Sequence, residues 1–239
     1  MSVDGAVLRI APLAAEPALV HGFSTLALGS MRREEGDPSP ITPPRRAFAR
    51  ALAVDPDRLT VAGAVHGSEV GRVDAAAGVV PGVDALVTDR AGLPLLITCA
   101  DCYPVIVFDP RRRALALAHA GWRGTAAGVA GQAVRALVAE YGSRPEDMVA
   151  GLGPGICGRC YEVSEEVAAR FDARFLEPAG RPDRFWLDLA AANHAQLESA
   201  GIAPGRVHCH GACTKESPDL ASHRRSPDGS RFACIAAIE

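Results

Sequence analysis

Short apolar stretches recur along the chain, and most of them are bounded by glycine, proline or aspartate. This pattern is typical of β-strands that pack against a core. The predicted strands are Val7–Ile10, Ala18–Phe23, Leu59–Val65, Ala85–Thr88, Leu95–Thr98, Val105–Phe108, Ala114–Ala118, Met148–Leu152, Phe185–Leu187, Val207–His210 and Phe232–Ile238.

Helical spacing of apolar residues, proline in a first turn and capping side chains predict four helices among these strands. They cover Arg45–Ala53, Thr125–Tyr141, Glu165–Phe175 and Leu189–Ala200. Strands outnumber helices and do not alternate strictly with them, which favours mixed sheets with helices packed outside over a Rossmann-type sheet.

Two polar segments interrupt this pattern, Gly29–Pro44 and Glu177–Arg184. The first is rich in charge and proline and is predicted to be a mobile loop within the domain, and the second is predicted to be a similar loop. Neither segment has the length or composition of a domain boundary. We therefore expect one domain over residues 1–239.

The composition is that of an ordinary globular protein, with 48% hydrophobic and 22% charged residues. The longest uncharged stretch, Pro17–Met31, contains several polar residues and glycines, so no membrane span is expected. Met1–Gly5 lacks a signal-peptide pattern, which predicts a cytoplasmic protein. The net charge of -3 and the scattered basic runs argue against a nucleic-acid-binding role. Both a monomer and a homodimer remain open.

Seven cysteines without an export signal predict reduced thiols, metal ligation or catalysis rather than disulfides. His66, Cys102 and His119 each lie at an end of an apolar strand, and His66 and His119 are followed closely by glycines. Together they would make a three-ligand zinc site with its fourth position open, as in catalytic sites, and would hold about one zinc ion per chain. Cys102 and His119 would equally suit a nucleophile–base pair, and the sequence does not separate these two chemistries.

Other metal or anion sites are also conceivable. Cys99-x-x-Cys102 and Cys157-x-x-Cys160 could build a closed four-thiolate zinc site, although the apolar runs around the first pair disfavour it. His208 and His210 share one face of a strand, which is more typical of surface or core histidines. The glycine-rich segment Gly151–Ile156 could hold an anion through its amides, but it lacks the P-loop lysine.

Nine short words occur in the chain in the order of one family. They are His21-Gly22-Phe23-Ser24-Thr25, Val65-His66-Gly67, Asp84-Ala85-Leu86-Val87-Thr88-Asp89, Ala100-Asp101-Cys102-Tyr103-Pro104-Val105, His119-Ala120-Gly121-Trp122-Arg123-Gly124, Leu152-Gly153-Pro154-Gly155-Ile156, Tyr161-Glu162-Val163, Cys213-Thr214 and Ser222-His223-Arg224-Arg225. Over nearly its whole length the chain thus resembles the YfiH-type laccase-domain family, formerly called multicopper polyphenol oxidases and now purine nucleoside phosphorylases.

This resemblance implies a layered αββα domain with two mixed β-sheets between helices. It also implies a zinc ion held by His66, Cys102 and His119. Family members cleave adenosine, inosine, guanosine and S-methyl-5'-thioadenosine with phosphate, and they deaminate adenosine. A second activity class in the family edits peptidoglycan precursors, removing a wrong amino acid from a muramic acid nucleotide. A catalytically weakened metal-binding paralogue is a further alternative.

The chain departs from the family pattern at three points. Leu26 stands where an arginine is common, Ala64 where a glutamine is common, and Gly229-Ser230-Arg231 replaces a Thr-Gly-Arg word. If the missing arginine normally contacts phosphate or a carboxylate, substrate preference or activity would be altered.

Expected roles follow for the residues around the trio. Asp101, beside Cys102, is the candidate carboxylate for moving protons when a zinc-activated water attacks the purine, with capping of its own turn as the alternative. Arg123 is the candidate phosphate clamp, and Arg224 and Arg231 are lesser candidates for substrate binding. Trp122 could stack on a purine or pack in the core. Copper is less expected than zinc, because copper oxidases need more histidine ligands than this trio supplies.

Overall fold

The computed structural model describes residues 5–33 and 39–239. Residues 34–38 of the predicted mobile loop Gly29–Pro44 therefore lie outside the described residues. The same holds for residues 1–4, on which part of the cytoplasmic expectation rests.

The described residues form fifteen strands, six α-helices and six short 3-10 helices. The strands are β1 Val7–Leu8, β2 Leu19–Ser24, β3 Thr60–Gly63, β4 Val70–Arg72, β5 Gly78–Pro81, β6 Ala85–Thr88, β7 Leu95–Cys99, β8 Tyr103–Asp109, β9 Ala114–Ala120, β10 Val149–Leu152, β11 Glu162–Ser164, β12 Leu176–Pro178, β13 Arg184–Leu187, β14 Val207–Cys209 and β15 Phe232–Ile238. The α-helices are α1 Ala11–Ala14, α2 Pro43–Ala51, α3 Trp122–Ala126, α4 Val129–Tyr141, α5 Glu165–Ala168 and α6 Leu189–Ser199. The 3-10 helices are Leu26–Leu28, Pro56–Arg58, Pro145–Asp147, Gly158–Cys160, Ala173–Phe175 and Pro204–Arg206.

Two six-stranded mixed sheets dominate the structure. The first sheet has the order β1-β2-β15-β7-β3-β5, and the second has the order β14-β10-β8-β9-β6-β4. In the first, β3 runs parallel to β5 and β7, whereas β15 is antiparallel to β2 and β7. A small third sheet contains β11, β13 and β12. No described helix is long and apolar enough to cross a membrane.

The alternation of side chains along the strands explains how the layers pack. On β8, Val105 and Val107 face a core shared with α4 and α6, whereas Ile106 and Phe108 face a core shared with the first sheet. On the far side of the first sheet, Phe48 of α2 packs in a third core. Helix, sheet, sheet and helix thus follow one another, which confirms the predicted layered αββα fold with two mixed sheets.

Two predicted helices are wrong in extent. The stretch Thr125–Tyr141 is divided between α3 and α4, because Gly128 adopts a left-handed conformation with φ of 82°. The stretch Glu165–Phe175 contains only the single-turn helix α5 and, after a break, a 3-10 helix. The segment Glu177–Arg184 is confirmed as a loop over residues 179–183, which connect the paired strands β12 and β13, whereas its two ends belong to those strands.

Candidate active site

The structure brings together the three residues of the predicted metal site. His66 lies in the loop after β3, Cys102 precedes β8, and His119 lies on β9 opposite Pro104. The ligand atoms of the three side chains all lie within 4.8 Å of one another. A His/Cys/His set at this separation is suited to a metal ion bound by three protein ligands.

A buried carboxylate, Asp84, orients two of these residues. Its Oδ1 atom lies 3.0 Å from Nδ1 of His119 and accepts the N–H of His66 at 2.9 Å. Its Oδ2 atom accepts the N–H groups of Val65 and Gly67 at 3.1 and 2.7 Å. These contacts hold the His66 backbone at a positive φ of 63° and leave Nε2 of His119 for a ligand.

Hydrogen bonds in the site shift the pKa values of Cys102, His119 and Asp84 towards their charged forms. Burial raises the pKa of the Cys102 thiol, but hydrogen bonds from His119 and His66 outweigh burial and lower the pKa to about 6. Burial would lower the pKa of His119, yet its bonds to Asp84 and Cys102 raise the pKa to about 9. Burial likewise opposes the charge on Asp84, but the bonds from His119 and the loop amides lower its pKa to about 2. Cys102 is therefore a thiolate at neutral pH, the form needed in a ligand or a nucleophile.

The backbone beside the trio is shaped around the three donor atoms. A Cβ atom on Gly121 would lie 2.8 Å from Sγ of Cys102 and 3.3 Å from Cδ2 of His66. Only glycine leaves these two side chains in place there. The donor set itself, two imidazoles and one thiolate, suits zinc. The residues present thus fit a zinc ion.

A cavity of about 590 Å³ opens over the trio, which is within the range of small-molecule sites. All seven predicted site residues line it: His66, Asp101, Cys102, His119, Arg123, Arg224 and Arg231. Its other lining residues are Ala64, Thr98, Ala100, Trp122, Ile156, Tyr161, Leu189 and His223. The cavity combines a possible metal site with cationic and aromatic side chains.

Asp101 is buried in the wall of this cavity with φ of 82°. Its Oδ1 accepts the Thr214 hydroxyl at 2.7 Å, and its Oδ2 accepts the Arg224 N–H at 2.8 Å. These bonds cross to other segments, so the alternative that Asp101 merely caps its own turn is wrong. Each oxygen keeps a lone pair for a further partner.

The three predicted arginines differ in how far their guanidinium groups are already bonded to other protein groups. Arg123 is exposed, and its guanidinium carbon lies 4.4 Å from the centre of the Trp122 ring. Within the described part of the chain Arg123 forms no ion pair. The Arg224 guanidinium donates to the Glu162 carbonyl at 2.7 Å, and that of Arg231 donates to two neighbouring carbonyls. Arg123 is thus the arginine most available to an anion.

The structure also places the remaining residues that the sequence singled out, namely Trp122, Ala64, Leu26 and the His208 and His210 pair. Trp122 is half-buried against the helix-side core, which favours the packing interpretation. Ala64 lines the cavity, whereas Leu26 packs at the margin of the core between the sheets. Of the histidine pair, His210 is half-buried beside Phe23, with ring centres 6.0 Å apart.

Close packing explains the glycine-rich segment without an anion. A Cβ atom on Gly153 would lie 2.3 Å from the Phe23 ring, and one on Gly155 would lie 2.5 Å from the Tyr103 ring. These glycines let the segment approach aromatic side chains of neighbouring strands.

The alternative four-thiolate site is wrong. Cys102 groups with the two histidines and Cys99 is buried at the end of β7, whereas Cys157 and Cys160 belong to a different group. That second group contains Cys157, Cys160, Cys213 and Glu216, whose donor atoms also lie within 4.8 Å of one another.

The ionisation of the second group differs among its sulfurs. Burial raises the pKa of Cys213, but N–H groups, that of Cys157 first, outweigh burial and lower it. Burial raises the pKa of Cys157 to about 12.

Two residues of these groups, Asp84 and Glu216, were not singled out from the sequence. Asp84 opens the word Asp84–Asp89 directly before a buried strand, and this position was its only signal. Glu216 was missed although Cys213-x-x-Glu216 repeats the spacing of Cys157-x-x-Cys160.

Comparison with known proteins finds a matching family model, related sequences and a similar solved structure. The family model of the multi-copper polyphenol oxidoreductase laccase matches residues 20–239. A purine nucleoside phosphorylase of Streptomyces coelicolor is 45% identical, over 82% of this chain and 82% of that protein. One from Deinococcus radiodurans is 39% identical, over 94% of this chain and 90% of that protein. The crystal structure of YlmD from Geobacillus stearothermophilus, 29% identical, superposes with a TM-score of 0.88 over 100% of this chain and 98% of that one.

Proposed function

The chain belongs to this laccase family, the YfiH-type family that its sequence words resemble, and on that premise we propose that it is a zinc-dependent purine nucleoside phosphorylase of the cytoplasm. It would cleave adenosine, inosine, guanosine and S-methyl-5'-thioadenosine with phosphate, and would deaminate adenosine. The observation that carries this proposal is the convergence of the His66, Cys102 and His119 donors with exposed Arg123 in one cavity. The relatives named as purine nucleoside phosphorylases support it.

His66, Cys102 and His119 are the proposed zinc ligands, and the zinc ion supplies a Lewis acid next to the substrate when bound. Asp84 positions His119 by fixing its Nδ1 atom, so that Nε2 points away from the carboxylate. Gly121 keeps the space around Cys102 open.

Arg123 is the proposed phosphate-binding residue. Phosphorolysis breaks the bond between C1′ of the ribose and the purine nitrogen and joins a phosphate oxygen to C1′, and the purine leaves with the proton of the hydrogen phosphate. Negative charge develops on the purine and positive charge on the sugar during this exchange. A planar guanidinium without a competing carboxylate can donate two parallel hydrogen bonds to phosphate oxygens. Arg224 and Arg231, whose guanidinium groups are partly occupied by carbonyls, would contact other polar parts of the substrate.

Asp101 is the proposed proton-moving carboxylate for deamination. It lines the cavity beside Cys102, and its two hydrogen-bond donors fix both oxygens. Replacing the purine amino group with oxygen requires protons to move from the attacking water to the leaving nitrogen, and a fixed carboxylate is suited to that transfer.

The test compares products with and without phosphate. Adenosine and phosphate should give adenine and ribose 1-phosphate, whereas adenosine alone should slowly give inosine. Cys102→Ala should remove one zinc ion per chain and abolish both products, because loss of one of three ligands commonly destroys such a site. Cys209→Ala, at an exposed cysteine on β14, is the matched control and should change neither.

Other outcomes would replace this proposal. Hydrolysis of a muramoyl amino acid substrate, with all nucleosides left intact, would establish the editing function instead. Zinc binding without either reaction would indicate a non-catalytic paralogue. Undiminished zinc in both Cys102→Ala and His119→Ala would refute the metal assignment.

A further inference from the structure

The second cluster, formed by Cys157, Cys160, Cys213 and Glu216, takes no part in the proposed reaction. We propose that it binds a second zinc ion in a closed structural site. The three thiolates and one carboxylate would fill all four positions of a tetrahedral ion, which leaves none for substrate.

The local backbone supplies the donors in two similar turns. Cys157 and Cys160 flank two residues, and Cys213 and Glu216 flank two others. Ligands separated by two residues are the usual spacing in structural zinc sites. A parallel β-bridge between Gly155 and Cys213 sets the two turns side by side. Cys157 and Cys213, which are 56 positions apart in the chain, thereby lie in one cluster.

The separation of the donor atoms suits a zinc ion. With zinc–sulfur bonds of about 2.3 Å, the sulfur atoms of a tetrahedral site lie about 3.8 Å apart. The donor atoms here lie within 4.8 Å of one another, so each pair of sulfur atoms needs to approach by at most about 1 Å. Rotation of the side chains is sufficient for a movement of that size.

Groups around the cluster would support the bound ion. The Cys157 N–H donates to Sγ of Cys213 at 3.4 Å, which stabilises a thiolate. Arg159 donates to both oxygens of Glu216, at 2.9 and 2.5 Å. Each oxygen keeps a lone pair for the metal, and the arginine charge offsets the excess negative charge of three thiolates and a carboxylate.

This site would brace the wall of the active-site cavity. Ile156, next to Cys157, donates its N–H to the Asp101 carbonyl at 2.9 Å. Thr214, next to Cys213, donates its hydroxyl to the Asp101 carboxylate at 2.7 Å. Both ligand turns therefore adjoin groups that hold Asp101, and a zinc ion joining them would fix its position.

The decisive measurement is the zinc content of purified variants. Wild type should hold about two zinc ions per chain, and Cys160→Ser should hold about one. Cys102→Ala should also hold about one and Cys102→Ala/Cys160→Ser none, since the two sites are independent. Cys209→Ser, the matched exposed cysteine, should keep both ions. Cys160→Ser should also lower the melting temperature by several degrees.

Two measurements keep the test valid if Cys160→Ser does not fold. X-ray absorption at the zinc edge of wild type should show an average of about two sulfur ligands per zinc, against one for the His/Cys/His site alone. Glu216→Gln retains all three thiols and should release one zinc ion per chain to a chelator faster than wild type does.

The proposal is overturned if wild type holds only one zinc ion per chain, and if this ion is lost in Cys102→Ala and kept in Cys160→Ser. A disulfide within the cluster would also overturn the proposal. The mass of wild type would then be lower by two hydrogens, and Cys157, Cys160 or Cys213 would be protected from alkylation. Loss of nucleoside cleavage alone leaves these readouts unaffected, so the two proposals fail separately.

Discussion

Asp84 controls the geometry of His119, a candidate zinc ligand, through a hydrogen bond to its Nδ1 atom. We expect Asp84→Asn to weaken zinc binding by about 10- to 100-fold, as loss of such supporting carboxylates does. In either orientation, the asparagine amide would place its NH2 group against a backbone N–H donor of the loop. The variant should therefore also lose about 1–3 kcal/mol in the free energy of unfolding. Chelator competition and urea denaturation measure the two effects.

Asp109→Asn is the matched control for this variant. Asp109 is also fully buried, and its Oδ1 accepts the N–H groups of Arg111 and Arg112 at 2.9 and 3.1 Å. It should keep its zinc affinity and lose less stability than Asp84→Asn does, because its amide oxygen can still accept both N–H groups. Equal zinc affinity in Asp84→Asn and wild type would show that the carboxylate only folds the loop.

Arg123 lies three residues before the end of α3 and stacks on Trp122 at the cavity. We expect Arg123→Lys to slow phosphorolysis about 100-fold, or about 3 kcal/mol, because an ammonium cannot replace the planar contact with phosphate oxygens. Zinc content and melting temperature should stay near wild type. Steady-state kinetics with varied phosphate measure the effect.

Arg174→Lys provides the control for stacking alone. Its guanidinium carbon lies 4.6 Å from the centre of the Phe175 ring, outside the active-site cavity. This variant should retain full activity. If Arg123→Lys loses zinc and stability together, Arg123 is a structural brace and the phosphate role must be abandoned.

The sequence indicated the three candidate metal ligands of the site but not the carboxylate that orients them. His66, Cys102 and His119 could be predicted because each lies at an end of an apolar strand, and because glycine follows His66 and His119 closely. Asp84 could not be predicted, since a single aspartate before a strand is equally typical of a turn. Only the pairing of β6 with β9 brings it beside His119.

At the scale of elements, Gly128 separates α3 from α4. Its φ of 82° lies in the left-handed region, and a Cβ there would touch no atom closer than 4.0 Å. Gly128→Ala should therefore lower the free energy of unfolding by about 1–2 kcal/mol through backbone conformation alone. Urea denaturation measures the loss.

Gly205→Ala is the matched control, because Gly205 is surrounded by open space and has no positive φ. It should change stability by a few tenths of a kcal/mol at most, roughly the range of ordinary surface substitutions. Equal stability of the two variants would show that alanine lets α3 and α4 fuse without cost.

The same glycine explains an error of prediction. Helical periodicity continues from Thr125 to Tyr141, so the sequence predicted one helix where the backbone makes two. Strands were predicted where they are long and apolar. Four short ones, β4, β5, β11 and β12, were missed because they have three or four residues each and include charges, glycine or proline.

At the scale of the whole molecule, the arrangement of layers depends on contacts between distant segments. The C-terminal strand β15 lies between β2 and β7 in the first sheet, a position that no local pattern specifies. The layered fold was nevertheless predicted through the family resemblance. That residues 1–239 form one domain stays a prediction, supported by the core that the two sheets share.

His21 lies between the two sheets and couples the stability of the whole molecule to pH. The residue is 2% exposed, and its Nε2 accepts the N–H of Ile10 at 3.0 Å, which requires an unprotonated nitrogen. Burial, with a smaller contribution from Arg9, lowers the pKa of His21 from 6.5 to about 4.

Below about pH 6.5 the unfolded chain binds a proton at this histidine and the folded chain does not, so folding stability should fall as the pH falls. The loss should level off below the folded pKa at about 3 kcal/mol. Urea denaturation at pH 7 and pH 4.5 should show a smaller loss in His21→Gln than in wild type, by about 2–3 kcal/mol, because glutamine does not titrate. Equal losses in both proteins would mean that the His21 ring is protonated within the fold, and that the Ile10 N–H has another acceptor.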